Sequence, residues 1–342
     1  MKKLNVLALM PWYPATAARY FADAFEQLGH NVFRAGPMYF NQMGLQWPES
    51  ELPKVDHEVV RESSVWNLNG AIDVATEKGF IPDFIFLSEE NYQTRIVPTD
   101  EVPVVLWQAD GWAENFARRE MIRPTLAYCN HPRGVVPSRQ ERIPDGWKFM
   151  PSGAAPWIHK FTNVGKRDVD FCLYATLYGK RQQICGELKE TGLNVSYGQR
   201  TTERYVWGYN RARFTYHNAQ TQWETKFRLF ETMAMGCVNI ADENPLFHVL
   251  GFAPNVHYIP IEEFCPEFDN DKWPSAMAIK GAIDWWGANA SVFEYMQNRA
   301  WHLVQERHTY QHRIKAILFD LGLSEDKDFT DFDHLFRLTY ES

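Results

Sequence analysis

The stretch from Trp223 to Asp242, WETKFRLFETMAMGCVNIAD, decides the fold. Apolar residues recur at helical spacing from Thr225 to Met235, Gly236 closes the helix, and Cys237 to Ala241 is a short apolar run. A helix feeding a buried strand is the repeating unit of an α/β protein. Glu224 and Glu231 lie seven residues, or two turns, apart, so both carboxylates project from nearly one face. Lys226 and Arg228 sit between them. The helix start near Thr225 offers backbone N–H groups and the positive end of the dipole, which stabilise a diphosphate without a metal. A carboxylate one or two turns further in accepts hydrogen bonds from a ribose diol. The same spacing also fits an amphipathic surface helix with intrahelical ion pairs such as Lys226 with Glu231.

Working outward, the alternation continues on both sides. Upstream, the pattern predicts strands at Val169–Ala175, Leu193–Tyr197 and Arg213–His217, with helices at Lys180–Thr191 and Thr202–Arg211. Downstream, a last short strand is predicted at Val256–Ile259. A second series occupies the first half of the chain. Leu4–Met10, Asn31–Ala35, Asp83–Ser88, Val102–Trp107 and Thr125–Asn130 read as buried strands, and Ala15–Leu28 as a helix closed by Gly29. Asn41–Ser64 is irregular, and the polar segment Phe161–Arg167 reads as a linker. The expectation is an α/β protein with two Rossmann-like parallel-sheet domains facing a central cleft, residues 1–160 and 168–300, followed by a helical tail at 301–342 that packs back on the first domain. Ligands in such sheets bind at the carboxyl ends of strands, and clefts between domains favour them.

Composition narrows the class. The 342 residues carry 35 basic and 43 acidic side chains, a formal charge of −8, with 45% hydrophobic and 23% charged residues. These values exclude a disordered or collagen-like chain, and the acidic balance argues against a nucleic-acid coat protein. Aromatic residues reach 15%, enough to line sugar or base pockets as well as the core. Five scattered cysteines without a C-x-x-C pair argue against a disulfide framework or structural zinc, and for reduced thiols in the cytoplasm. No apolar run spans a membrane. The Lys2-Lys3 start and the apolar run after it loosely mimic a signal peptide, but Pro11-Trp12-Tyr13-Pro14 interrupts the run and a first strand fits better.

Further candidates lie at predicted strand ends. Phe171–Arg181, FCLYATLYGKR, is a strand, a loop with Tyr178 and Gly179, and a helix start carrying Lys180 and Arg181, a place from which cations reach a phosphate. It lacks the Walker A pattern, and no G-x-G-x-x-G follows the first strand, so ATP hydrolysis and NAD binding lose support. Asp110, in WQADGW, is either a general base or the N-cap of the next helix. Tyr13, His131 and His217 also stand near strand ends. Arg118–Lys148 has seven basic and three acidic residues, and Gln199–Arg213 has four Arg and one Glu. Each is either a solvated face or a contact for an anionic acceptor.

The ordered segments resemble the C-terminal half of GT-B glycosyltransferases, closest to the CgeB-like, spore-maturation type. Met150–Lys160 (MPSGAAPWIHK) resembles LP-x-G-x-D-P-x-x-H, Asp168–Arg181 the family's opening strand, and Arg228–Asp242 its R-x-F-E-A-x-A-C-G signature ending in Asp. YIPIEE at Tyr258–Glu263 and ERHTYQHRIKAIL at Glu306–Leu318 resemble later landmarks, so the likeness covers about residues 145–320. Six residues separate Glu224 from Glu231 where the broader retaining families have seven, Ala155 replaces the usual Asp, and Ala175 a frequent Gly. The resemblance implies transfer of a hexosyl or pentosyl group from a nucleoside-diphosphate sugar, UDP-type first, to a hydroxyl acceptor, with retention and without a metal or other cofactor. In that frame Glu231 holds the ribose; Arg181 with Lys180, Arg228 and the amides near Lys226 neutralises the diphosphate. Tyr178 and Gly179 line the donor loop, Glu224 and Asp110 are further catalytic candidates, and Tyr13, Asp110 and His131 border the acceptor. Rival readings are a phage-type DNA glycosyltransferase acting on a hydroxymethylated base, which flipping would expose, a non-catalytic nucleotide-sugar or glycan-binding GT-B module, and a GT-B-type epimerase.

Overall fold

The structure is a computed structural model that describes residues 2–39, 44–58, 65–88, 95–109, 122–131, 146–162, 165–176, 179–218, 225–265 and 273–340. It divides into two units. Unit one comprises Met1–Gln42, Gln46–Ser152 and Tyr310–Ser342, and unit two Met43–Leu45 and Gly153–Thr309.

Unit one opens with β1 (Asn5–Leu9), α1 (Ala17–Gln27) and β2 (Asn31–Gly36), as the β-α-β pattern predicts. Then follow β3 (His57–Glu58), β4 (Val65–Asn67), α2 (Leu68–Glu77), β5 (Phe84–Ser88), β6 (Arg95–Val97), β7 (Val104–Gln108), β8 (Leu126–Cys129) and β9 (Trp147–Phe149). Seven strands form one sheet in the order β3-β2-β1-β5-β7-β8-β9, and β4 pairs with β6 in a separate ribbon. All recorded pairings are parallel. Alternate strand residues serve opposite faces. Leu7, Leu9, Ile85, Leu87 and Leu106 pack with Leu68 and Ile72 of α2. On the other face Phe21 of α1 sits 5.2 Å from Phe86 and 4.8 Å from Trp107, and Phe25 lies 5.7 Å from Phe84. Each such buried ring contributes roughly 1.5–3 kcal/mol.

Unit two runs β10 (Val169–Tyr174), α3 (Lys180–Glu190), β11 (Val195–Gly198), α4 (Thr202–Arg211), β12 (Ala212–His217), α5 (Phe227–Ala234), β13 (Val238–Ala241), α6 (Leu246–Leu250), β14 (Tyr258–Pro260), α7 (Ala276–Gly287) and α8 (Ala290–Arg307). Its five parallel strands are ordered β11-β10-β12-β13-β14. Phe171 and Leu173 face α3, α7 and α8, meeting Ile184, Ile279 and Met296. Cys172 and Tyr174 face the other way, toward Tyr209, Met235 and Cys237. All five cysteines are free. A groove of about 810 Å3 opens at the amino ends of β10 and β12, lined in part by Asp168, Asp170, Arg213 and Glu294. It lies at the opposite end of the sheet from the strands' carboxyl ends.

The chain then returns to unit one as α9 (Tyr310–Asp320) and α10 (Phe332–Tyr340). Tyr310 packs edge-on to Phe21 at 4.9 Å. The buried Arg313 guanidinium donates to the carbonyls of Pro151 and Ser152, both at 2.9 Å, and burial lowers its pKa to about 9. On the unit-two side, Ala154 N–H donates to His308 O at 2.8 Å.

The structure corrects several local expectations. The irregular stretch Asn41–Ser64 contains a 3-10 turn at Glu49–Glu51 and the two-residue strand β3. The three-residue strands β4, β6 and β9 escape a periodicity reading because three residues hold too little alternation. Helix α5 starts at Phe227, two residues late, because Lys226 adopts extended N-cap backbone (φ −75°, ψ 147°).

Gly208, inside α4, is required by Tyr174: a Cβ there would stand 2.3 Å from the ring's Cε2 and hydroxyl. That hydroxyl is fixed 2.7 Å from Ser196 Oγ, so the ring has little room to yield. Gly208→Ala is expected to destabilise unit two by about 1–3 kcal/mol, the usual cost of overpacking, read from urea unfolding; unchanged stability would show that the ring moves freely.

Candidate functional site

In an open parallel sheet, ligands bind beyond the carboxyl ends of strands where the order reverses. In unit two that point lies between β10 and β12. The helices following these strands, α3 and α5, present their N-termini there. Thr16, Asn67, Ser275 and Asn289 cap α1, α2, α7 and α8 with side-chain oxygens. Helices α3 and α5 begin on Gly179 and Lys226 with no side-chain cap, as do α4 and α6. Gly179 has φ 49° and ψ −117°, a conformation that demands glycine.

Cations gather at the same place. Arg181, only 6% exposed, donates from Nη1 to Thr176 O at 3.2 Å and stacks 5.4 Å from the Trp273 ring centre. His217 closes β12 and is buried. Burial first, and then the fields of Arg228, Lys226 and Arg181, lower its pKa to about 3. The ring is therefore neutral, and it feels the charges of three cationic side chains from α3 and the start of α5. Neither His217 Nε2 nor Arg228 Nε has a hydrogen-bond partner. Buried polar nitrogens without partners are costly unless a ligand binds there.

Arg228 also links this cluster to Glu231, one turn further along α5. Glu231 is 2% exposed. Tyr205 of α4 donates its hydroxyl to Oε2 at 2.6 Å, and His159 Nε2 lies 3.2 Å from Oε1. Burial raises the Glu231 pKa to about 7, opposed by the Tyr205 hydrogen bond and the Arg228 charge. The carboxyl is thus taken up by tertiary partners, and the alternative of a solvated surface helix does not hold for it. Nearby, the buried Asp242 at the end of β13 accepts from the Tyr216 hydroxyl and from Asn218 Nδ2.

Of the sequence candidates, Arg181, Lys226, Arg228 and Glu231 come together in unit two. Lys180 is exposed on the first turn of α3, beside Gly179. Asp110, Tyr178 and Glu224 lie outside the described residues. Tyr13 and His131 belong to unit one, after β1 and β8. The Tyr13 ring stacks on Tyr39 at 4.5 Å, and His131 is buried, its N–H 3.3 Å from Cys129 Sγ. In the basic stretch Gln199–Arg213, Arg200 donates to the Gln199 and Tyr197 carbonyls, Arg211 chelates Asp168, and Arg213 donates to Gly287 O. Most of Arg118–Lys148 falls outside the described residues. Sequence reasoning missed Tyr205, Tyr209 and Tyr216. Tyr205 and Tyr209, four apart, mark one face of α4, and that pairing was the available signal. Among the described residues, no three His, Cys, Asp or Glu side chains group as a metal site, and no helix is long and apolar enough to cross a membrane.

Residues 166–318, somewhat less than half of the chain, match a family model described as glycosyl transferase-like. No curated protein matches by sequence. Solved structures are similar over nearly the whole chain. A glycosyltransferase from Rickettsia africae superposes with TM-score 0.61 at 10% identity, covering 95% of this chain and 100% of its own. An α-glucosyltransferase in complex with UDP-glucose and DNA containing an abasic site gives 0.59 at 10%, covering 94% and 100%. Anabaena HepE in complex with UDP gives 0.58 at 11%, covering 93% and 100%. The fold is that of the GT-B proteins, with two parallel sheets and C-terminal helices. The matched segment contains β10 through α8 and all four gathered candidates.

The raised Glu231 pKa sets a pH dependence of stability. Its folded value, about 7, exceeds the ordinary 4.5, so the folded state holds the proton more tightly. The stability conferred by the neutral carboxyl is intact below about pH 4.5 and is lost as pH rises through about 7. Relative to wild type, Glu231→Gln should gain about 2–3 kcal/mol between pH 5 and pH 8, measured by urea unfolding. A difference that does not change with pH would contradict the burial of an ionising carboxyl.

Proposed function

We propose that the protein is a glycosyltransferase of the CgeB-like type that takes a nucleoside-diphosphate sugar, UDP-type, as donor and transfers its hexosyl or pentosyl group to a hydroxyl acceptor. The observation that carries this reading is the convergence of Arg181, Lys226 and Arg228 around neutral His217, at the carboxyl ends of β10 and β12. A dianionic leaving group suits that place: three cations and two helix N-termini oppose the charge that grows on it. We assign the ribose hydroxyls to Glu231, whose carboxyl feels the Arg228 charge.

The reaction follows from these charges. The bond from the anomeric carbon to the bridging phosphate oxygen breaks, and its electron pair leaves with the diphosphate. The acceptor oxygen bonds to the same face of the sugar, giving retention, and its proton passes to the departing phosphate. Fixed cations meet the diphosphate charge, so the reaction needs no metal. We assign the acceptor side to unit one, where Tyr13 and His131 follow strand ends. Arg200, Arg211 and Arg213 of the basic stretch bond within unit two, which does not favour a DNA acceptor over other hydroxyl acceptors. A cytoplasmic location fits five free thiols and a cytosolic donor.

Calorimetric titration with UDP, GDP and ADP, with EDTA present, tests the donor half. UDP is expected to bind in the micromolar range, and wild type should hydrolyse or transfer from the UDP-sugar. Binding with no turnover on any acceptor, DNA included, would favour a binding module instead. Glu231→Ala should weaken UDP binding by roughly 1–3 kcal/mol through a lost charged hydrogen bond, and 2′-deoxy-UDP should bind wild type correspondingly less well. Arg181→Ala should lower kcat by about 10²-fold or more, the scale for losing one transition-state charge donor, with Arg181→Lys recovering part of it. Intact turnover in Arg181→Ala would remove its role.

A further inference from the structure

We infer that His159 and Tyr205 are positioning residues that clamp the Glu231 carboxylate so that one open lone pair on each oxygen faces the donor ribose; this rests on the donor-site reading above. The two clamps come from elements far apart in the chain. His159 ends the turn that begins unit two, and Tyr205 lies on α4.

The hydrogen-bond directions follow from the turn's own backbone. Ala155 N–H donates to His159 Nδ1 at 3.1 Å, while Ala155 O accepts from the amides of Ile158 at 2.9 Å and His159 at 2.7 Å. Nδ1 is therefore the ring's acceptor, and burial keeps the ring neutral, its pKa lowered to about 3. The single ring proton must sit on Nε2, which donates to Glu231 Oε1. Tyr205 donates to Oε2. A carboxylate offers about four lone-pair positions. Two are filled from inside, one on each oxygen, which leaves a matched pair spaced for the vicinal hydroxyls of a ribose. The groups facing the carboxyl are His159 from the turn, Tyr205 from α4 and Arg228 from α5 itself. Tyr209, also on α4, packs 4.8 Å from Tyr205 and supports it. The turn uses the imidazole as its cap, at the motif where Ala155 stands in place of a carboxylate.

The test combines two readouts on the intact protein: the carboxyl titration of Glu231 by 13C NMR, and UDP affinity by calorimetry from pH 5.5 to 8.5. Wild-type affinity should rise with pH as Glu231 ionises. Tyr205→Phe removes a donor to the ionised form, so both the titration and the acidic limb of UDP binding should move to higher pH together. The preference for UDP over 2′-deoxy-UDP should then shrink about 3- to 10-fold, as for one weakened hydrogen bond. His159→Gln keeps an N–H donor and should retain most of the affinity that His159→Ala loses, with melting temperatures checked for each variant. A uniform loss of affinity, with limb and deoxy preference unmoved, would falsify the positioning role and leave only packing. Absence of UDP binding in wild type at every pH overturns the donor-site reading and this inference with it.

Discussion

A parallel strand can follow a parallel strand only if the chain travels back along a crossover, here a helix. That constraint sends every such helix away from the carboxyl edge of the sheet, with its N-terminus left at that edge. In unit two the strand order reverses between β10 and β12, and the helices after those strands are α3 and α5. The positive ends of two helices are thus delivered to one place by topology alone. Arg181 and Arg228 lie within the first two residues of those helices and Lys226 caps the second, so the position of the cations follows from the position of the strands.

Strand and helix placement was largely legible from the chain because the buried runs are short, apolar and evenly spaced. Thr202–Arg211 was readable as a helix to the residue, and Val169–Ala175 to within one. The ribbon of β4 and β6 was not, since three residues carry no period. The site was half legible. Arg181, Arg228 and Glu231 lie in segments whose local pattern resembles a family signature. Tyr205 and His159 reach Glu231 across 26 and 72 positions, and no spacing rule joins them. A tertiary contact of that length is written in the packing of α4 and the turn at 155–159, not in either segment.

Several buried charged groups of unit two find partners inside the protein. Glu231, Asp242 and Arg181 are carried inside, and each has hydroxyl, amide, ring or carbonyl partners. Arg228 Nε and His217 Nε2, at the reversal point, are among the buried polar atoms of unit two without a hydrogen-bond partner. At the groove at the amino ends of β10 and β12, Arg213 and Asp168 have protein partners.

The division of the chain has a consequence for biosynthesis. Apart from Met43–Leu45, unit two is a single uninterrupted segment, Gly153–Thr309, whose ends are joined by the bond from Ala154 to His308. Unit one is assembled from both flanks and needs α9, with Tyr310 against Phe21 and Arg313 on the carbonyls of Pro151 and Ser152. On a ribosome, where segments become available in order, the second unit has its whole core before the first can close. Helix α1, which already covers the aromatic face of the opening sheet, must wait without Tyr310 against Tyr20 and Phe21 until α9 emerges. The half-made chain therefore exposes Phe21 and its neighbours for the time needed to synthesise the inserted unit, which is the interval when a nascent-chain chaperone has most to cover.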